Sequence, residues 1–277
     1  MDRMPTPSLA IQDGWIDHPQ GRLFVRTWRP EGALQPAQDE RLPIVLLHDS
    51  LGCVALWRDF PAQLSLHTGR RVIAYDRLGF GRSDAHPGVA PSSFIEDEAR
   101  TFFPAVRAQL GFDRFIALGH SVGGGMGVHI AARHAQACVG LITESAQAFV
   151  EDRTLQGILE AKANFQHADQ FARLVKYHGD KAKWVLDAWT ETWLNPAYAG
   201  WSLDAVLPQV RCPVLALHGE HDEFGSVRHP RQIAEMAAGA GQCEILDGIH
   251  HVPHKEAEPL VLARVGAFID ALTDGVL

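Results

Sequence analysis

Six short runs rich in Val, Ile and Leu recur along the chain, at 43–48 (PIVLLH), 71–76 (RVIAYD), 114–120 (RFIALGH), 138–145 (CVGLITES), 213–219 (PVLALHG) and 243–248 (CEILDG). Each has the length and β-branching of a buried strand. Between them lie helical apolar patterns, over roughly 55–67, 93–110, 122–135, 228–239 and 256–272. Alternation of this kind predicts an α/β fold with a mostly parallel central sheet flanked by helices, because parallel neighbours need long crossovers and helices supply them on both faces. Ahead of the first run, LAIQDGWI and LFVRTW flank a turn at His18-Pro19-Gln20-Gly21. That pattern predicts a hairpin adding antiparallel strands at one sheet edge.

One interval breaks the alternation. Residues 146–206 carry helical patterns with no convincing strand, and a chain of 277 residues suits one α/β domain with an insertion better than two independent domains. The expected division is a core of 1–145 and 207–277 with a helical cap insertion at 146–206. Four of the seven Trp residues lie there, Trp184, Trp189, Trp193 and Trp201, beside Phe165, Phe171, Tyr177 and Tyr198. Such rings either pack the insertion onto the main body or line a ligand pocket between the two. Trp184, Trp189 and Trp193 are the candidates for substrate binding.

A hydrophobic content of 46% is enough to bury a large core, and the formal charge of −8 with a pI near 6.0 argues against a nucleic-acid partner, whose backbone is gripped by clustered Lys and Arg. No stretch is apolar enough to span a bilayer, and MDRMPTPSLA has no apolar signal core, so no membrane partner and a cytoplasmic location are expected. Cys53, Cys138, Cys212 and Cys243 show no C-x-x-C spacing and are read as reduced. The expected partner is a small-molecule substrate, with a second copy of the chain, as a homodimer, left open.

The run RFIALGH leads directly into Gly119-His120-Ser121-Val122-Gly123 and then a helical pattern. This is G-x-S-x-G in the strand–turn–helix setting that gives the motif meaning. Such a turn strains the backbone at Ser121 and presents its hydroxyl at a helix N-terminus, while side chains at 119 or 123 would collide with neighbouring elements. A serine hydroxyl is a poor nucleophile unless a base and an orienting group reach it. Carboxylates follow one strand at Glu220, Asp222 and Glu223, and imidazoles follow the next at His250, His251 and His254. The order Ser, acid, His matches that of α/β-hydrolases. Val122 follows the serine at the helix start, where free amides and the helix dipole favour an oxyanion.

The chain resembles the α/β-hydrolase superfamily over nearly its whole length. L-x-G-x-x-D at 217–222 resembles its acid loop and GIHHVPHKEAEP its histidine loop. The resemblance implies Ser121, Asp222 and His251 as catalytic residues, with His250 as the rival base and Glu144 as the rival acid. It implies a second oxyanion donor at the Ser50 N–H, in a loop where Asp49 replaces the usual Gly. Asp49 is expected to point away from the site, since it would repel a developing oxyanion. D-x-x-G-x-G-x-S at 76–83 implies structural turns and no catalysis at Asp76 or Asp84. The implied activity is cleavage of a small ester through an acyl-enzyme; a lactonase, a C–C bond hydrolase of aromatic catabolism and a non-catalytic receptor on the same fold are the alternatives. No cofactor is implied. A metal site built from His218, His221, His250, His251 and His254 is set aside, because the same loops account for a triad and no H-E-x-x-H occurs.

Overall fold

The computed structural model describes residues 8–31 and 41–274. Eight strands form one sheet: β1 (Leu9–Ile16), β2 (Leu23–Pro30), β3 (Ile44–Leu47), β4 (Val72–Tyr75), β5 (Phe115–His120), β6 (Cys138–Glu144), β7 (Val214–Gly219) and β8 (Gly241–Leu246). Their order is β1-β2-β4-β3-β5-β6-β7-β8. The first two strands form the expected antiparallel hairpin, β2 also runs antiparallel to β4, and all further pairings are parallel.

Side-chain alternation makes two cores from one sheet. Val45, Leu47, Ile73 and Ala117 point to one face, where they join Met126 and Val128 of α4 (Val122–Arg133). Ile44, Leu46, Ala74 and Leu118 point to the other, against α1 (Phe60–Thr68) and the C-terminal helix α10 (Glu258–Asp274). Three of the expected helical stretches form helices close to their predicted limits, among them α8 (Arg228–Met236), while 55–67 opens with a 3-10 turn at Val54–Trp57, breaks at Arg58 (φ 56°) and becomes α1 only at Phe60. The stretch 93–110 is interrupted as well: α2 (Phe94–Asp97) passes through a π-turn at Glu98–Phe102 into α3 (Phe103–Leu110). Pro104 has no N–H to give to the preceding turn, so the ladder slips there. A short helix, α9 (Pro253–Glu256), precedes α10.

Between β6 and β7 lie α5 (Asp152–Asn164), α6 (Ala168–His178) and α7 (Ala182–Trp193). Leu174, Val185 and Leu186 of this interval form a small apolar cluster with Phe80 from the loop after β4. A single bridge between Phe149 and Ser202 ties the two ends of the segment together. No helix among the described residues is long and apolar enough to cross a membrane.

Candidate active site

Parallel strands send their C-terminal ends to one sheet edge, and the loops after β3, β5, β6, β7 and β8 meet there. The turn after β5 holds Ser121 at φ 55°, ψ −125°, a left-handed backbone that a non-glycine residue adopts only under constraint. Two glycines permit it. A Cβ on Gly119 would sit 2.1 Å from the Gly123 carbonyl oxygen, and one on Gly123 would sit 2.1 Å from the Leu47 carbonyl oxygen.

His251 Nε2 lies 3.0 Å from Ser121 Oγ, and His251 Nδ1 lies 2.8 and 2.9 Å from the two Asp222 oxygens. The hydroxyl therefore donates to Nε2 while Nδ1–H donates to the carboxylate. Asp222 is fully buried and is itself held by the N–H groups of Phe224 and Gly225, at 2.7 and 3.1 Å. Burial alone would raise its pKa, but the charge and hydrogen bond of His251, with His218 and the Phe224 N–H, hold it below the ordinary 3.8. Burial likewise opposes charging of His251, and Asp222 outweighs it, raising the imidazole above 6.5.

The rival residues sit elsewhere. His250 is exposed and bonds Glu256, and Glu220 accepts from the Gly248 N–H at the surface. Glu223 borders the cavity without touching His251 through a hydrogen bond. Glu144 is buried and pairs with His254. His218 lies 3.5 Å from Asp222. The one group among the described residues that could hold a metal is His120, Glu144 and His254, a different set from the five imidazoles weighed on sequence.

A cavity of about 200 Å³ opens over Ser121 and His251, bordered by Asp49, Ser50, Gln147, Ile158, Trp189, Trp193 and Phe224. A larger one of about 430 Å³ adjoins it, sharing Ser50 and Trp189 and extending past Phe80, Phe94 and Trp184. Trp189 and Trp193 therefore reach the Ser121 cavity, whereas Trp184 lines only the outer one. Helix geometry explains the split: at about 100° per residue, Trp189 and Trp193 of α7 lie roughly 40° apart, and Trp184 about 140° from Trp189.

Asp49 is among the residues that border the Ser121 cavity, and its Oδ1 lies against its own loop, 1.9 Å from where a Cβ on Gly52 would fall. Burial opposes its ionisation, but His120, His48, Lys255 and His251 draw on its charge and lower its pKa. Its backbone carbonyl is fixed by His48 Nδ1–H at 2.8 Å and by an Arg77 guanidinium N–H at 2.8 Å, which pins the loop carrying Ser50. Val122 is buried at the first position of α4. Asp76 accepts from the Val54 and Arg82 N–H groups and shapes its turn, as a structural residue would. Gln147, 3.4 Å from Ser121 Oγ, and Phe224, whose ring centroid lies 4.8 Å from that of His251, escaped the sequence reading. No local pattern marks either one.

A mostly parallel sheet with a strained serine turn, and an imidazole and carboxylate arriving from the last two strand ends, defines a class of α/β protein built around an activated hydroxyl. The chain belongs to the alpha/beta hydrolase fold family, whose sequence profile matches residues 43–257. A human (lyso)-N-acylphosphatidylethanolamine lipase is 36% identical over 95 residues, which cover 33% of this chain and 26% of that protein. The matching stretch thus spans about a quarter of the relative's length. Among solved structures, a proline iminopeptidase of Mycobacterium smegmatis superposes with a TM-score of 0.70 at 24% identity, over 94% of this chain and 98% of that one. A naproxen esterase of Bacillus subtilis superposes with a TM-score of 0.69 at 20% identity, over 94% and 92%. At these identities the superpositions establish the shared fold.

Proposed function

We propose that the protein is a serine hydrolase that cleaves a small-molecule ester through an acyl-enzyme. The observation that carries this reading is the unbroken line from Ser121 Oγ through both nitrogens of His251 to Asp222, each step 3.0 Å or shorter. His251 takes the hydroxyl proton as the oxygen attacks the ester carbonyl, and Asp222 stabilises the imidazolium and fixes its orientation. The N–H groups of Val122 and Ser50 receive the oxyanion. His251 then returns the proton to the leaving alcohol, and a water activated by the same imidazole releases the acid. Residues 146–206 act as a cap. Trp189 and Trp193 from it wall the reacting centre, and Trp184 contacts the remote arm of the substrate in the outer cavity. The lipase, esterase and iminopeptidase among the similar proteins support hydrolysis as the general chemistry.

A fluorophosphonate probe tests the assignment: wild type should be labelled and Ser121→Ala should not. Labelling of neither would favour a ligand-binding protein on this fold. Turnover of p-nitrophenyl esters of increasing chain length, set against lactones and vinylogous diketones, then separates ester cleavage from lactone and C–C bond hydrolysis. Faster turnover of either rival class would displace the ester reading.

A further inference from the structure

Ser121 and His251 lie 130 positions apart, so their 3.0 Å contact depends on whatever holds the turn after β5 against the loop after β8. Two links do this, and neither belongs to the Ser121–His251–Asp222 line. Glu144, the last residue of β6, accepts the Ser121 N–H on its backbone carbonyl at 2.8 Å. Its carboxylate accepts from the histidine loop, taking the His254 backbone N–H and Nδ1–H at 2.6 Å each. One residue thus holds the nucleophile with its main chain and the base's loop with its side chain. The second link is His120, next to Ser121, whose Nε2–H donates to the His251 carbonyl at 2.8 Å.

The surroundings show how far the fold goes to keep these links. His120, Glu144 and His254 are each at most 3% exposed, and the rings of Trp57 and Phe60 lie 4.7 and 5.3 Å from His254. Ser145, directly after Glu144, sits at φ 51° with its N–H given to the Leu217 carbonyl and its buried hydroxyl unpartnered. A strained residue beside a buried carboxylate persists only where the surrounding contacts over-determine it.

We infer that Glu144 and His254, with His120, are positioning residues that set the Ser121–His251 distance by tying the nucleophile's turn to the base's loop. This rests on the hydrolase reading above. Glu144 is therefore not a spare catalytic acid; its whole effect passes through His251.

The test compares Glu144→Gln, His254→Gln and the double variant in steady-state ester hydrolysis, at a temperature where circular dichroism shows each to be folded. Misplacing a base by about 1 Å costs on the order of a hundredfold, so kcat should fall by roughly that factor. KM should change less than threefold, the fluorophosphonate labelling rate should fall with kcat, and the double variant should be no worse than the more impaired single. A purely structural role would move the melting temperature and leave kcat of the folded fraction unchanged. Wild-type kcat in folded Glu144→Gln and His254→Gln overturns the inference. If Glu144→Gln does not fold, His254→Gln and His120→Leu carry the comparison with the same criteria. Ser121→Ala and His251→Ala run in parallel: if they stay active the hydrolase reading falls and this one with it, whereas their inactivity beside a fully active Glu144→Gln refutes positioning alone. Because the ligand atoms of His120, Glu144 and His254 lie within 4.8 Å of one another, zinc is measured in the purified protein. One equivalent of zinc whose removal abolishes activity would assign the trio to a metal and overturn the positioning role.

Discussion

Of the three imidazoles on the histidine loop, the two buried ones lie three positions apart and each is paired with a buried carboxylate through Nδ1: His251 with Asp222 at 2.8 Å and His254 with Glu144 at 2.6 Å. The chemistry of the two pairs is alike and their surroundings are not. His251 has a hydroxyl 3.0 Å from its second nitrogen and borders a cavity, while His254 faces the rings of Trp57 and Phe60 and lines neither the Ser121 cavity nor the outer one. A carboxylate orients an imidazole equally well in either setting. What differs is whether the free nitrogen meets a group that can react.

The sharpest way to break that contrast is to remove each carboxylate in turn. Asp222→Asn should lower kcat by about ten-thousand-fold, because the amide favours the wrong imidazole tautomer and cannot stabilise the imidazolium. Glu144→Gln should cost the smaller factor argued above. Equal losses in the two variants, read from burst-corrected turnover, would erase the distinction between a pair that reacts and a pair that holds.

How much of this contrast was legible in the sequence follows from the range over which each signal acts. Ser121 was readable because G-x-S-x-G, the preceding strand and the following helix are contiguous, and the collisions at Gly119 and Gly123 are local. Asp222 and His251 were readable as loop motifs at strand ends, although choosing them over Glu144 and His250 leaned on a family resemblance. The bond between Glu144 and His254 spans 110 residues, and no spacing rule reaches that far. The electrostatic partners of Asp49 were hidden for the same reason: the histidines that draw on its charge, His48, His120 and His251, lie just after β3, at the end of β5 and on the histidine loop. The slip at Glu98–Phe102 was signalled by Pro104, but a period count over 93–110 smooths across one proline.

A second test uses pH, where both pairs should behave alike and so sharpen what is specific to His251. Asp222 and Glu144 are each held below their ordinary values of 3.8 and 4.5. A depressed carboxylate contributes stability that is present above its unfolded pKa and lost as pH falls through the lower folded value. Asp222→Asn and Glu144→Gln should therefore each cost roughly 3–5 kcal/mol at pH 7, and the gap to wild type should narrow in strong acid, as followed by urea unfolding. His251 has the opposite sign. Its raised pKa contributes stability that is full below 6.5 and fades as pH rises through the folded value. In kinetics, kcat/KM should fall on the acid side of that raised value, where the imidazolium can no longer accept a proton. In Asp222→Asn the largest influence opposing burial is gone and only the weaker charges of Glu223 and Asp49 still favour the imidazolium, so an NMR titration should find the His251 pKa moved down. An unchanged value would mean that Asp222 is not what raises it.

The smallest expected effects come from the rings that cover the two imidazoles. Phe224 packs its ring 4.8 Å from that of His251 at the cavity wall, and Trp57 packs 4.7 Å from His254 away from it. Phe224→Leu keeps the backbone N–H that supports Asp222 and removes aromatic surface from the cavity wall, where the ring also packs on Trp189. It should change kcat/KM a few-fold, mainly through KM, with little loss of stability. Trp57→Phe removes part of a buried ring and a buried indole N–H that has no partner, so it should cost about 1–2 kcal/mol of stability by cavity formation, partly offset by relief of that N–H. Its KM should stay at the wild-type value, because neither Trp57 nor His254 lines the Ser121 cavity or the outer one. If Trp57→Phe shifted KM and Phe224→Leu did not, the open and sealed sides of the histidine loop would have to be exchanged.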